Sequence, residues 1–427
     1  MAITEGADRR LRGALAAALA IIVASCTTAT IPGRQSADSP SPASRELEVR
    51  VGLLVGAASV RVGGGGPVSV TEPDGSRVVT IAAGESWQVT MTAGAFTLTS
   101  PRGWISAPLD AMTLTADDAR APLRVNGKPY RGVVEILRDR TGVTVVNRLG
   151  MESYLLGVVS AEMGRRNSAE LAALRAQAVV SRTYAVKNLR RWRTQGFDLY
   201  ASVSDQAYGG VGAETPEGHA AVSATRGRIL TYNGAPIESF YFSTCGGRTA
   251  DGYEVFRGAS RPYLRSGSDA GRNGVAYCSI SPRYRWREEW TGETLRVILN
   301  RYLAQVPGGT VRSIGGVADV RVTQRSGSGR VDQIAISGSG TEIRVEGQSN
   351  IRQALRTSAG DMLRSTAFTL TGAGAGQNIT RLVAEGMGAG HGVGLCQWGA
   401  VGRARAGQSH EQILAAYYPG TSLERRY

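Results

Sequence analysis

Residues 158–185, VVSAEMGRRNSAELAALRAQAVVSRTYA, hold one carboxylate, Glu162, just ahead of an alanine-rich stretch that carries Arg175, Gln177 and Arg182. A carboxyl group kept protonated by partial burial is a general acid, and once it has given up its proton it is a base. The arginines have two readings. An arginine on an apolar helix needs an anionic partner or a ligand, since an uncompensated buried charge costs on the order of several kcal/mol. Arg175 and Arg182 therefore hold either substrate oxygens or structural carboxylates. Next to Glu162 they would oppose the acid role, because a nearby cation favours the ionised carboxylate.

The elements that must position these groups can be read around them. Asn167 is a good N-cap and Glu170 follows at capping-box spacing. Leu171, Leu174, Ala178 and Val179 recur at helical spacing, and the small residues between them let a neighbouring backbone come close, so this helix is expected to be buried. Glu152 is expected to open and cap a short helix upstream, a role in stability rather than turnover. Further on, a glycine-rich block carries Tyr241, Ser243, Cys245 and Thr249 at the end of a hairpin whose turn is Asn233-Gly234. His391 lies in a second glycine-rich run, GMGAGHGVGLCQWGA, with Gln397 at an expected helix start. A histidine held among glycines is a candidate site residue.

Composition bounds the rest. With 427 residues, 56 glycines, few aromatics and many short Val/Thr/Ile runs, the chain reads as an α+β, strand-rich protein with tight turns and a few helices. Residues 1–25 have the form of a signal peptide: Arg9, Arg10 and Arg12, then an apolar run too short to span a bilayer. That run closes on Val23-Ala24-Ser25-Cys26, which resembles a lipobox, so Cys26 is the expected lipidation site and residues 26–45, rich in Ser, Pro and Ala, the expected tether. Residues 46–120 read as a small β-rich module of alternating segments broken by Gly63–Gly66 and Asp74-Gly75. Strands with a hairpin at Asn126-Gly127 then lead into the Glu162 region, and residues around 290–370 read as scaffold. The net charge of +14 suits anionic partners outside the cytoplasm, such as wall polymers and lipid headgroups. No basic run interleaved with aromatics and no zinc-finger spacing points to nucleic acid.

The ordered run Asn147, Arg148, Leu149, Glu152, Tyr154, Leu155, Gly157 and Val158, then Glu162-Met163, then ALRAQAV and Arg182-Thr183-Tyr184, resembles the signature of the SpoIID/LytB family. Gln206, Tyr208 and Gly209, and the glycine-rich run around His391, match later family blocks. The resemblance covers residues 123–427 and implies a SpoIID-like catalytic domain. It implies either of two activities: a lytic transglycosylase acting on peptidoglycan glycan strands, or a non-catalytic enhancer of an N-acetylmuramoyl-L-alanine amidase. An adhesin-like structural lipoprotein, which would do neither, is a third reading. In the first, Glu162 is the acid and base, and Arg175, Gln177, Arg182, Tyr241, Ser243, Thr249, His391 and Gln397 are expected to bind substrate. A glycosidase that uses water needs two carboxylates, whereas a transglycosylase uses the sugar's own C6 hydroxyl and needs one. The expected location is the envelope, lipid-anchored, and the outer membrane where one exists, since Thr27 follows the lipidated cysteine.

Cys245, Cys278 and Cys396 remain after Cys26. An oxidising envelope favours a bridge, and a disulfide between Cys245 and Cys278 is the simplest assignment. Zinc is the alternative, because some members of the family bind it through Cys and His, here through Cys245, Cys278 and His391 or Cys396. Arg248 and Arg283 stand where a ligand would be wanted and cannot donate to a metal, so no metal and no cofactor is the expectation. Three histidines and no His-Glu-x-x-His helix argue against a metalloprotease.

Overall fold

The computed structural model describes residues 46–139, 142–258, 260–306, 314–338, 340–375 and 378–427. The leader, the tether and Cys26 lie outside them. The class is α+β, with a strand-rich N-terminal region. The strands anticipated there form with bounds close to those read from alternation, for example Val68–Thr71 and Ser86–Thr92. Asn126 and Gly127 adopt φ of 47° and 79°, and Asn233 and Gly234 φ of 51° and 74°. Both pairs supply the positive φ that a two-residue hairpin turn demands.

The expected border near residues 120–123 is crossed by pairing. A seven-stranded sheet joins Glu48–Ala57, Val68–Thr71, Arg77–Ile81 and Met112–Ala116 to Val133–Arg138, Val143–Gly150 and Leu199–Tyr200. A five-stranded sheet joins Ser59–Gly64 to Leu123–Val125. The reason is edge satisfaction: Glu48–Ala57 lies between Val143–Gly150 and Leu199–Tyr200, so its amide and carbonyl groups are used on both sides. One apolar core runs from Val49 to Tyr418, through both sheets and the helices around Glu162. A second core runs from Trp286 to Ala384 and corresponds to the scaffold expected around 290–370.

Six of the described helices build the first core. Helix α1 (Met151–Met163) leads to α2 (Leu171–Asn188), and α3 (Pro216–Ala224), the short α4 (Gly252–Phe256) and, past the second core, the last two helices follow. The second core is closed by α5 (Gly292–Tyr302) and α6 (Gln348–Ala354), after which α7 (Gln397–Arg405) and α8 (His410–Tyr417) end the chain. The Asn167 and Glu170 capping box forms, at a single 3₁₀ turn entering α2. Every position of α2 from Ala176 to Ala185 is buried, as expected for a helix wrapped on all sides. Glu152 does not cap α1. Its amide donates to Glu46 Oε1 (2.9 Å), so the cap comes from a distant carboxylate, and its own side chain is used elsewhere. Among the described residues, no helix is long and apolar enough to cross a membrane.

Candidate functional site

Glu162 lies in the last turn of α1, not in the linker before α2 as its spacing suggested. Its surroundings are set by Gly157, one and a half turns earlier. A Cβ there would fall 2.6 Å from Tyr208 Cε2, so only glycine lets the segment 204–210 dock on α1. The docking is fixed by Gly209 N–H donating to Gly157 O (3.0 Å) and Tyr208 OH donating to Asn147 Oδ1 (2.7 Å). It brings the Ala207 amide to Glu162 Oε1 at 2.7 Å.

Tyr241 OH donates to the same oxygen at 2.9 Å and itself accepts from Gln206 Nε2 at 3.1 Å. Gln206 is fully buried and takes a hydrogen bond from Tyr154 OH (3.2 Å), so a relay of three neutral side chains orients the phenol. Oε2 is held less tightly, by Gln397 Nε2 at 3.4 Å. Burial pushes the Glu162 pKa above the usual carboxylate value. The Ala207, Tyr241 and Gln397 donors oppose this without reversing it.

These groups open into a cleft of about 920 Å³. Glu162, Tyr241, Ser243, His391 and Gln397, all expected from the sequence, line it together. Asp205 is the second acid among the described lining residues. Its carboxylate is already committed: Oδ1 accepts from Tyr184 OH (2.9 Å) and Arg191 (3.0 Å), and Oδ2 from Trp192 Nε1 (2.9 Å) and the Tyr200 amide (2.9 Å). Arg166, Arg283 and Arg352 add positive charge to the walls, with Arg166 stacked over Trp398 at 4.4 Å.

Four residues expected to bind substrate lie elsewhere, and the status of a fifth changes. Arg182 is fully buried and forms a two-pronged pair with Glu152 (2.8 and 2.7 Å), so it is a structural cation. Gln177 is fully buried too and donates to Ser181 Oγ (2.9 Å) within α2, while Arg175 lies toward α8 and His410, outside the cleft. Thr249 accepts from the Gly267 amide (2.9 Å) in a buried turn and does not reach the cleft. His391 lines the cleft with both ring nitrogens used by backbone: Nε2 pairs with Tyr241 O (2.9 Å) and Nδ1 accepts from the Val393 amide (3.1 Å). Burial among Phe240, Phe242 and Phe256 drives its pKa down to about 4, so it is neutral and pins the glycine loop to Tyr241. Sequence reasoning passed over Asp205, Ala207 and Arg166. Gln206 and Tyr208 marked their neighbourhood, but a backbone donor leaves no trace in residue type.

The disulfide expected between Cys245 and Cys278 is not formed. Their sulfurs are 3.3 Å apart, against about 2.05 Å for a bond, and Cys245, Cys278 and Cys396 are all free and buried. The three converge with Asp269, all four donor atoms lying within 4.8 Å of one another. The donor not anticipated from the sequence is thus Asp269; of the two alternatives for a third ligand, Cys396 lies here and His391 is bonded elsewhere.

Residues 139–232, which contain α1, α2 and Glu162, match the model of the family described as Stage II sporulation protein. A protein named Stage II sporulation protein D, from Bacillus amyloliquefaciens, is 30% identical over 299 residues, covering 66% of this chain and 77% of that one. The chain belongs to the SpoIID family. An uncharacterised protein of Brachyspira hyodysenteriae is 32% identical over 301 residues, 70% of this chain and 73% of that one. This SpoIID chain is also 29% identical over 295 residues to a Bacillus subtilis protein named Amidase enhancer, covering 63% of the chain but 40% of the enhancer. Residues 275–394, which include the second core, match a family described only as a domain of unknown function.

Proposed function

We propose that the cleft cleaves peptidoglycan glycan strands by lytic transglycosylation, with Glu162 as acid and then base. The observation that carries this reading is the asymmetry between the two acids of the cleft. Asp205 has four donors on its oxygens, whereas Glu162 has no cationic partner among the described residues and a pKa raised by burial. A hydrolase of either stereochemistry needs a second free carboxylate, and a transglycosylase does not.

Oε2 is the oxygen that carries the proton, since Oε1 already accepts from Ala207 and Tyr241. It protonates the oxygen leaving from C1 of N-acetylmuramic acid as the β-1,4 bond breaks. The carboxylate so formed is steadied by the same two donors and by Gln397. It then takes the proton of the muramic C6 hydroxyl as O6 closes onto C1, giving a 1,6-anhydro end and returning the enzyme to its starting state without water. The arginines of the walls suit the carboxylates that muramic acid and its stem peptides carry.

A second reading rests on the relative named Amidase enhancer: the chain binds a wall amidase and speeds it without cutting glycan itself. Both readings place the protein in the envelope, and lipidation at Cys26 is part of the proposal. Purified protein is incubated with glycan strands lacking stem peptides, and the products are read by mass spectrometry. Anhydro-ended fragments are expected. Intact glycan, together with faster release of stem peptides by an added amidase, would establish the enhancer reading instead.

A further inference from the structure

We propose that Cys245, Cys278, Cys396 and Asp269 bind one zinc ion, which ties together the two segments that present Tyr241 and Gln397 to Glu162. The four donors come from separate stretches of chain. Cys245 follows the strand Tyr241–Phe242, Asp269 lies in an irregular segment, Cys278 sits in the turn Tyr277–Ile280, and Cys396 caps α7. None is more than 2% exposed. Four tetrahedral ligands with sulfur at about 2.3 Å from zinc stand roughly 3.8 Å from one another. Cys245 Sγ is 3.3 Å from Cys278 Sγ and 3.2 Å from Asp269 Oδ2, so the set closes on one ion with a small outward movement. It is too tight to enclose a multi-iron cluster. Three thiols and one carboxylate, soft and tetrahedral, select zinc over calcium or magnesium.

Backbone amides already point at two of the three sulfurs. The amides of Cys245 and Gly399 donate to Cys396 Sγ (3.1 and 3.2 Å), and the amide of Gly247 donates to Cys245 Sγ (3.3 Å). Asp269 is oriented from behind: Arg403 (3.1 and 3.0 Å) and Tyr417 OH (2.8 Å) all bond Oδ1, which leaves Oδ2 facing the sulfurs. A ligating carboxylate is typically fixed in this way by its outer partners. Gly399 makes room for it, since a Cβ there would come 2.3 Å from Oδ2. Four anionic ligands leave two negative charges on a zinc site, and Arg403 and the 2% exposed Arg330, bonded to Cys245 O, supply two positive ones. A Cys245–Cys278 disulfide would instead remove the thiol proton that Cys245 offers Asp269 Oδ2 and strand a buried carboxylate oxygen.

The ion would act on the site through the parallel pairing of Tyr241 with Leu395 and Phe242 with Cys396. Clamping Cys245 to Cys396 fixes that pairing from its open end. The inference goes beyond the catalytic reading and does not depend on it. The test is elemental analysis and native mass spectrometry of the full chain purified without chelator, with alkylation of cysteines before and after chelation in denaturant. About one zinc per chain is expected, with all three thiols protected until the metal is stripped, and cobalt(II) replacing zinc should show thiolate-to-metal charge-transfer absorption. Asp269→Asn and Cys278→Ser should lower the zinc content, and Glu162→Gln should leave it unchanged. Metal-free wild-type protein, whether with a Cys245–Cys278 disulfide or with three reactive thiols, would overturn the proposal. So would zinc retained when all three cysteines are changed to serine. If single variants do not fold, the wild-type metal content and cobalt spectrum decide.

Discussion

Helix α1 carries a carboxylate near each end, Glu152 buried and Glu162 half-buried, and the two are held in opposite states. At Glu152 burial pushes the pKa up, but the two-pronged bond and charge of Arg182, with Tyr427 OH (2.5 Å) and the Gly227 amide (3.3 Å), pull it below the usual value. At Glu162 burial pushes in the same direction and only neutral donors oppose it, so the pKa stays raised. One helix thus carries an anion at its first turn and, in the proposed reaction, the proton carrier at its last. The difference comes down to whether an arginine reaches the carboxylate. Arg182 of α2 serves the first end and, among the described residues, no arginine pairs with the second, which is why Arg182, the arginine nearest to a catalytic reading, belongs to the fold.

The largest effect should come from removing that arginine. Arg182→Ala leaves Glu152 buried without its cation, a change that costs about 3–5 kcal/mol, read as a lower midpoint in chemical denaturation. Arg182→Met combined with Glu152→Leu should recover much of the loss, since an apolar pair of similar volume replaces the ions. If Arg182→Ala keeps its stability and loses glycan cleavage, the contrast between the two ends of the helix is broken. Glu162→Gln should act the other way. Cleavage falls about a hundredfold or more as general acid catalysis is lost, while glycan binding and the fold are kept. The sign of its effect on stability follows from linkage. Below the ordinary carboxylate pKa, Glu162 is protonated in both folded and unfolded chains and costs nothing. As pH rises through the raised folded value the unfolded chain has already ionised, and folding carries a penalty. Gln has none, so Glu162→Gln should be at least as stable as wild type at neutral pH, whereas Glu152 stabilises at neutral pH and loses that contribution as pH falls through its depressed value. Thermal melts across pH 3–8 on both variants would check the opposite slopes.

Local pattern was legible where it was set by neighbours in sequence. Alternation placed the N-terminal strands, Asn-Gly pairs placed two hairpins, and the Asn167 and Glu170 spacing placed the start of α2. What the pattern did not contain was partnership across the chain. Glu46 caps α1 from 106 residues away, Glu152 meets Arg182 and Tyr427, and Cys396 joins Cys245 across 151 residues. For the site, the residues on the Tyr241 and Gln397 segments were identifiable because the chain brings those segments side by side. The α2 residues were misplaced because a helix buried on every face offers no periodicity to tell a cleft from a core.

The smallest effect expected is also the most specific to the proton on Glu162. Tyr241 stays a neutral phenol, its own pKa pushed well up by burial and by the Glu162 charge, so at working pH it can only donate to Oε1. Donation stabilises the carboxylate over the acid, and Tyr241→Phe removes it. The Glu162 pKa should therefore rise further, and the alkaline limb of the cleavage profile, which reports loss of the acid form, should move to higher pH. A hydrogen bond of about 1 kcal/mol corresponds to a shift of somewhat under one pH unit. Ala207 still holds Oε1 through its backbone, so the carboxyl keeps its orientation and the rate at the optimum should drop only a few-fold. A limb that moves to lower pH, or does not move while the rate collapses, would mean that Tyr241 acts on the sugar rather than on the acid, and that the raised pKa at the end of α1 is not what sets the working range of the proposed cleavage.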